Sequence, residues 1–355
     1  LSGESHLPYE QSHRVIHKRD FPFGCSPLSF CGHTEEVLAQ NPMDDSNQSH
    51  PPDRLHELVE AGAVDEAVTL LSRLETAAAA DRKAAFRTLR TVANADPDAV
   101  TPLVSSVEPF LTDAERPVRL STAKLLVTLA SADPNAVVDS VPALADRLAD
   151  DEEFYYVRAR SAEALGYVAA AEPSVVTPEI LADLRIGLSF DESEVKTKLA
   201  KAISHVALGN PGRLRHHVEE LATHLDSDDE VVRYHLITAI VTVGCEYPDA
   251  LTAAADPLLN RAADPDPYIR GRAAEALGLL GRNGVDIPLP EGWDRDAVES
   301  PSAADFLDTR VRFAFGDQPA AAVDGVADTE SIHEATEEIV EAITTPDGDG
   351  CPNCG

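Results

Sequence analysis

The feature that most constrains this chain is a proline that returns at a fixed interval. Pro97, Pro134, Pro173, Pro211 and Pro248 follow one another at steps of 37, 39, 38 and 37 residues. The first two sit in nearly identical hexapeptides, ADPDAV at 95–100 and ADPNAV at 132–137. Fifteen residues before each proline stands a basic residue: Arg82, Arg119, Arg158, Lys196 and Arg233, with Arg270 extending the row. Seven residues after the basic position comes Leu89, Leu126, Leu165, Ile203, Ile240 or Leu277, and three further on Val92, Leu129, Val168, Val206, Val243 or Leu280. The next residue is always small: Ala93, Ala130, Ala169, Ala207, Gly244 and Gly281. Self-similarity at such a period marks stacked supersecondary units, none of which buries its apolar face without a neighbour.

The columns define the unit. Apolar residues at +7 and +10 from the basic position, with small or apolar ones at +3 and +4, line one face of an α-helix, and the small residue at +11 lets a neighbouring helix come close. Asp96-Pro97 and Asp133-Pro134 fit an N-cap followed by proline at the first helical position. A second helix is then expected, as in AVVDSVPALADRL, where Val138, Val141, Leu144 and Leu148 have burial spacing. Acidic turns such as DSDDE close each unit and cap the next first helix. The hexapeptide repeats because it is the elbow of each helix–turn–helix unit.

These letters resemble the HEAT-repeat family and its short phycobilin-lyase-type relatives. The resemblance rests on DEVVRYHLITAIVTV (229–243), DPYIRGRAAEALGLLG (266–281) and YYVRARSAEALGYVA (155–169). It covers about residues 54–285, with 54–80 as a helical cap, and loosens at 192–214, where Lys196 replaces Arg. It implies an all-α fold, an α-solenoid of about six helix pairs, with a disordered leader over 1–53 and a flexible acidic tail. It also implies that the recurrent Arg82, Arg119, Arg158, Lys196, Arg233 and Arg270 pack as a structural ladder with acids of adjacent repeats. Lyase activity does not travel with repeat similarity.

Charge narrows the setting more than the function. The chain of 355 residues holds 62 acidic and 29 basic residues, a net charge of −33. Acid spread along the whole chain with little lysine resembles the proteins of salt-in halophiles, haloarchaea among them, where a dense acidic surface keeps a protein hydrated. Such a background argues against a nucleic-acid partner, which needs a basic groove. The weak polar column Arg147, His224 and Arg261 on the second helices is poor support for a phosphate track, and is read as a candidate partner-binding row on the face those helices line. No stretch approaches the roughly 20 apolar residues of a membrane span. No nucleotide-binding or nucleophile motif is present. His-Glu occurs at His56-Glu57 and His333-Glu334, outside the repeat register, so a di-iron site of the kind some HEAT-like hydroxylases carry is not expected. Cys245, beside Gly244, reads as a packed thiol.

The flanks differ from the array. Residues 1–42 are rich in His, Phe and Cys, the only methionine is Met43, and acidic Ala-rich sequence starts there. The expectation is that translation begins at Met43 and that 1–42 is upstream sequence. Cys25, Cys31 and His33 lack a common zinc spacing. After the array, 286–320 concentrates aromatic residues, including Trp293, Phe306, Phe313 and Phe315. It reads as a C-terminal cap for the last repeat, or as a docking segment in which Trp293, Phe313 and Phe315 meet a partner. Residues 321–350 read as an acidic linker with one helix, DTESIHEATEEIVEAI. The chain ends in CPNCG, a zinc-knuckle half in which Cys351 and Cys354 offer two thiolates on a tight turn. A structural zinc takes four ligands, so the other two would come from a second copy, giving a dimer through shared zinc, from a partner, or from further sequence. The expected function is a non-catalytic scaffold binding a protein partner in a high-salt cytoplasm. A HEAT-type lyase or metal-dependent enzyme, and a nucleic-acid-associated protein, are the alternatives.

Overall fold

The computed structural model describes residues 50–288, 298–316 and 325–344, all within the unit that runs from Ser49 to Gly355. Two short helices, α1 (Pro51–Glu60) and α2 (Val64–Leu74), open it. Helix pairs follow: α3 (Ala79–Ala95) with α4 (Val104–Val107), α5 (Arg116–Ala132) with α6 (Val141–Ala149), α7 (Tyr155–Ala171) with α8 (Pro178–Gly187), α9 (Ser193–Gly209) with α10 (Val218–Ala222), and α11 (Glu230–Glu246) with α12 (Ala255–Arg261). Then come α13 (Pro267–Arg282), α14 (Pro301–Phe315) and α15 (Thr329–Thr344). No strand occurs among the described residues.

The long first helices stack in sequence order, α3 on α5, α5 on α7, and so on to α13 on α14, and the short second helices form the other layer. The repeat columns make the seam: Leu89, Leu126, Leu165, Ile203, Ile240 and Leu277 are all buried. Glycines set the closest approaches. A Cβ at Gly166 would lie 2.6 Å from Ala202 Cα, and one at Gly278 would lie 2.7 Å from the Phe313 ring, so these positions admit the next helix only as glycine. Capping follows the acidic turns in two units. Asp229 Oδ1 accepts from the N–H of Val231 and Val232, and Asp266 Oδ1 from those of Tyr268 and Ile269.

One expectation needs correction. The Asp-Pro elbow does not open an α-helix directly. Asp133 accepts from Asn135 N–H, but Pro134–Ser140 is a 3₁₀ stretch and the α-helix begins only at Val141. Pro142 has no N–H to give to the carbonyl four residues back, so an α-helical ladder cannot run through it from Pro134. Beyond residue 285, helix α14 packs against α13 through Phe306 and Phe313.

Candidate functional site

The recurrent basic residues act at the turns. Arg119 Nη1 donates to the carbonyls of Asp113 and Ala114 in its own turn, while Nε and Nη2 reach Glu153 in the next turn at 2.5 and 2.8 Å. Arg233 repeats this with the carbonyls of Ser227 and Asp228 and with Asp264 at 2.9 and 3.1 Å. Arg82 grips Asp113 at 2.6 and 2.8 Å, and Arg270 binds the carbonyls of Asp264 and Pro265. Burial pushes the Asp113 and Glu153 carboxyls up, but the guanidiniums of Arg82 and Arg119 hold both below their ordinary values. Such bidentate pairs fix geometry as well as charge.

The row breaks where the acid is missing. Arg158 stacks on Phe190, donates to Leu148 O and reaches Asp151 at 3.4 Å. Lys196 makes no ion pair among the described residues, because Ser227 stands where the next carboxylate would be. The expectation of a ladder rung at Lys196 is therefore corrected. The candidate partner-binding row on the second helices also reads differently. Arg147 pairs with Asp150 and Glu153, and Arg261 with Asp264, so both reinforce the same turns. His224 is half-buried, and burial with Lys196 nearby pulls its imidazole below its ordinary value. Phe313 is 1% exposed beneath Arg282, which donates to its carbonyl, so it is packing and not a docking side chain. Phe315 is half-buried at the end of α14. Trp293, Cys25, Cys31, Cys351 and Cys354 lie outside the described residues. Burial pushes the Cys245 thiol up to about 12, in keeping with an inert packed group.

A polar surface lies instead on the first helices, in columns the repeat also sets. Five residues past the ladder position stand Arg87, Lys124, Glu163, Lys201, Thr238 and Glu275. At +2 are Ala84, Ser121, Arg160, Lys198, His235 and Arg272, and at +9 Thr91, Thr128, Tyr167, His205, Thr242 and Leu279. Spacings of three, four and seven put these columns on one helix face. The same register that exposes the ladder would have exposed this polar face.

Part of that face is covered by the chain itself. Helix α15 packs on α11 and buries Ile332, Thr336, Ile339 and Ile343. Its Glu337 meets Lys201 Nζ at 2.9 Å and His205 Nε2 at 3.5 Å, and Lys201 also donates to Tyr167 Oη at 2.8 Å. Burial pushes the Glu337 carboxyl up, but His205 and Lys201 bring it to about 2. Burial keeps His205 neutral-leaning, below its ordinary value, and takes His235 down to about 3. Beside Glu337 a cavity of about 330 Å³ opens between Tyr167, Leu208, His205 and His333.

The turn ahead of α15 is anchored in a buried charge cluster. Glu275 Oε2 accepts from Arg272 Nη1 at 2.7 Å and from Arg310 Nε at 3.1 Å, and its Oε1 accepts from Ala327 N–H at 2.6 Å. Arg310 Nη2 donates to Gly325 O. Burial pushes the Glu275 carboxyl up, but Arg272 and Arg310 outweigh it and hold it below its ordinary value. Ala327 adopts φ 55°, a left-handed conformation unusual for a residue with a Cβ, at the point where its N–H meets Glu275.

Residues 218–304 match the family model for HEAT repeats. The fold is a HEAT- and armadillo-like α-solenoid. Among solved structures, an engineered protein from a structural genomics consortium aligns over 85% of this chain and 83% of its own with 20% identity and a TM-score of 0.57. A designed armadillo repeat protein in complex with peptide (KR)4 aligns over 60% of this chain and 98% of its own, with 18% identity and a TM-score of 0.53. Likeness at this identity concerns the fold. No curated protein matches the sequence. Among the described residues no helix of the solenoid is long and apolar enough to cross a membrane.

Proposed function

We propose that this solenoid is a non-catalytic scaffold whose first-helix face holds a helical segment of a partner protein. The observation that carries the reading is α15, an acidic amphipathic helix seated on that face through Ile332, Ile339 and the Glu337–Lys201 pair. A stack of helices held by bidentate turns is rigid before binding, so little ordering of the scaffold opposes association. The designed armadillo protein that holds peptide (KR)4 supports the idea that a layer of this architecture can accommodate a peptide.

Two further parts belong to the same proposal. The net charge of −33 suits a high-salt cytoplasm, where acidic surface keeps a protein hydrated. Cys351 and Cys354 would supply half of a zinc site, completed by a partner or by a second copy in a zinc-linked dimer. Zinc content measured with and without Cys351→Ser/Cys354→Ser decides that point.

The test of the scaffold is affinity capture from the source organism in molar KCl, with wild-type chain and a variant carrying Lys201→Glu and Arg87→Glu. A stoichiometric protein lost from the variant supports the reading. A partner-free chain that retains a pigment or turns over a substrate overturns it and puts an enzyme in its place.

A further inference from the structure

The N-terminal stretch of the same face is left uncovered by the described residues and is differently charged. Between α3 and α5 lies a groove of about 270 Å³, with Lys83, Arg87 and Arg90 on one wall, Lys124 on the other, and Phe86 and Leu120 between them. None of these four cations makes an ion pair among the described residues, although acid outnumbers base 62 to 29 in the chain. Burial pulls the Lys124 ammonium below its ordinary value, and its neighbours Arg160, Arg90 and Arg87 add to that. Cations crowded together in an acidic protein are an electrostatic cost that an anionic ligand relieves.

The rest of the face shows how its other cations are answered. Arg160 pairs with Glu163 at 2.7 Å and with Glu194 at 3.3 Å, and Lys198 meets Glu163 at 3.0 Å. Lys201, in the same column as Arg87 and Lys124, is neutralised by Glu337 of α15. Each cation from α7 to α9 on these columns thus has a carboxylate, and for one of them the carboxylate arrives on an added helix. Two units earlier the cations are present beside Pro117 and Leu120, and no helix of the described residues lies over them.

We propose that the α3–α5 groove binds an acidic amphipathic helix of a partner protein, its carboxylates on Arg87 and Lys124 and its apolar side over Pro117 and Leu120. This deepens the scaffold reading and rests on it. A nucleic acid fits less well, because the +5 column turns acidic at Glu163 and a phosphate track would need the cations to continue. The contacts are short-range, as they must be where salt screens charges beyond a few ångströms.

The test uses the full chain and a labelled peptide of the sequence of residues 329–344, an acidic amphipathic helix of this same protein, followed by fluorescence anisotropy in KCl. One site is expected, weakened about tenfold or more by Arg87→Glu/Lys124→Glu. A peptide with glutamine at every glutamate should weaken similarly. A charge-matched control, Arg73→Glu/Lys196→Glu, should bind as the wild type, and circular dichroism checks that both variants fold. Equal binding by the two variants, or no binding by the wild type, overturns the proposal. So does tighter binding of an oligothymidine, which would give the groove to nucleic acid, or a wild-type dimer dissolved by the groove variant, which would give it to a second copy. Where the captured partner still binds Arg87→Glu/Lys124→Glu, the groove assignment fails and the scaffold stands. Where no protein or peptide binds the wild type at all, both fail.

Discussion

The two ends of the first-helix face are built from the same columns and solve opposite problems. At α3 and α5, position +5 carries Arg87 and Lys124, which reach water, and position +2 carries Ala84 and the buried Ser121. At α11 and α13 the same positions carry His235, Thr238, Arg272 and Glu275, all buried. The C-terminal end is closed by α14, by the turn at Gly325–Asp328 and by α15, and there Arg272 and Glu275 pair inside the protein while Thr238 Oγ1 and His235 Nε2 have no partner among the described residues. The difference teaches that an identical scaffold register can present an open polar surface at one end and a sealed core at the other, with the covering helix as the deciding part.

The sharpest way to break the comparison is to remove the charge that seals the closed end. Glu275→Ala leaves Arg272 and Arg310 buried without their carboxylate and removes the acceptor for Ala327 N–H. Losing one partner of a buried ion pair costs about 3–5 kcal/mol. Denaturant unfolding should show a loss of that size, and Lys124→Ala at the open end should stay within about 0.5 kcal/mol. Comparable losses at both sites would refute the distinction between sealed and open ends.

The ladder offers a smaller contrast within the turns. Arg233 and Asp264 are both buried and joined by two hydrogen bonds, whereas Lys196 has no acid to meet. Arg233→Ala should cost about 2–3 kcal/mol, less than a fully orphaned pair because Arg261 still reaches Asp264 at 3.2 Å. Lys196→Ala should be close to neutral in the same unfolding measurement. A large loss at Lys196 would mean that the row is held by something other than the turn carboxylates.

Acid should loosen the covering helix before it unfolds the stack. Facing α15 are Lys201 and His205 from α9, Tyr167 from α7 and His235 from α11, while α15 itself contributes Glu337 and His333. His205 and His235 sit below their ordinary value of 6.5 because they are buried, so the docked state binds fewer protons than the open one. Stability is then lost as pH falls through 6.5, and for His235 the loss continues toward about 3. Glu337, held at about 2 against an ordinary 4.5, adds a further loss as pH falls between those values. Hydrogen-exchange protection in 329–344, taken relative to the intrinsic rate at each pH, should therefore be several-fold weaker at about pH 5.5 than at about pH 7.5, with that of α3 and α5 little changed. Weaker protection at the higher pH would contradict the sign.

Much of this was legible in the letters. The apolar columns Leu89 to Leu277 identified the seam, and Arg82, Arg119 and Arg233 occupied turn positions because a carboxylate recurs one unit on. Two things were not. Pro142 sits in the first turn of α6 and holds back its start to Val141, a local steric effect hidden inside a segment with good helical spacing. The seat of α15 depends on contacts between residues more than a hundred apart, such as Lys201 with Glu337, and periodicity in one segment says nothing about its partner. The amphipathic stripe Ile332, Ala335, Ile339 and Ile343 announced a buried face, but not which surface would bury it.

The smallest effect tests whether the turn before α15 is held against its own preference. Ala327 at φ 55° adopts a conformation costing an L-residue about 1–2 kcal/mol, and glycine would remove most of that. Glycine also gains freedom when unfolded, which offsets about 0.4–1 kcal/mol. Ala327→Gly should therefore stabilise the closed end by about 0.5 kcal/mol, visible as slower exchange in α15 and as little change elsewhere. The N–H to Glu275 survives the change, so the anchor is kept while the strain is relieved. Destabilisation instead would mean that the alanine methyl contributes packing that outweighs its backbone strain, and that the turn is set by side-chain contact and not by the buried carboxylate.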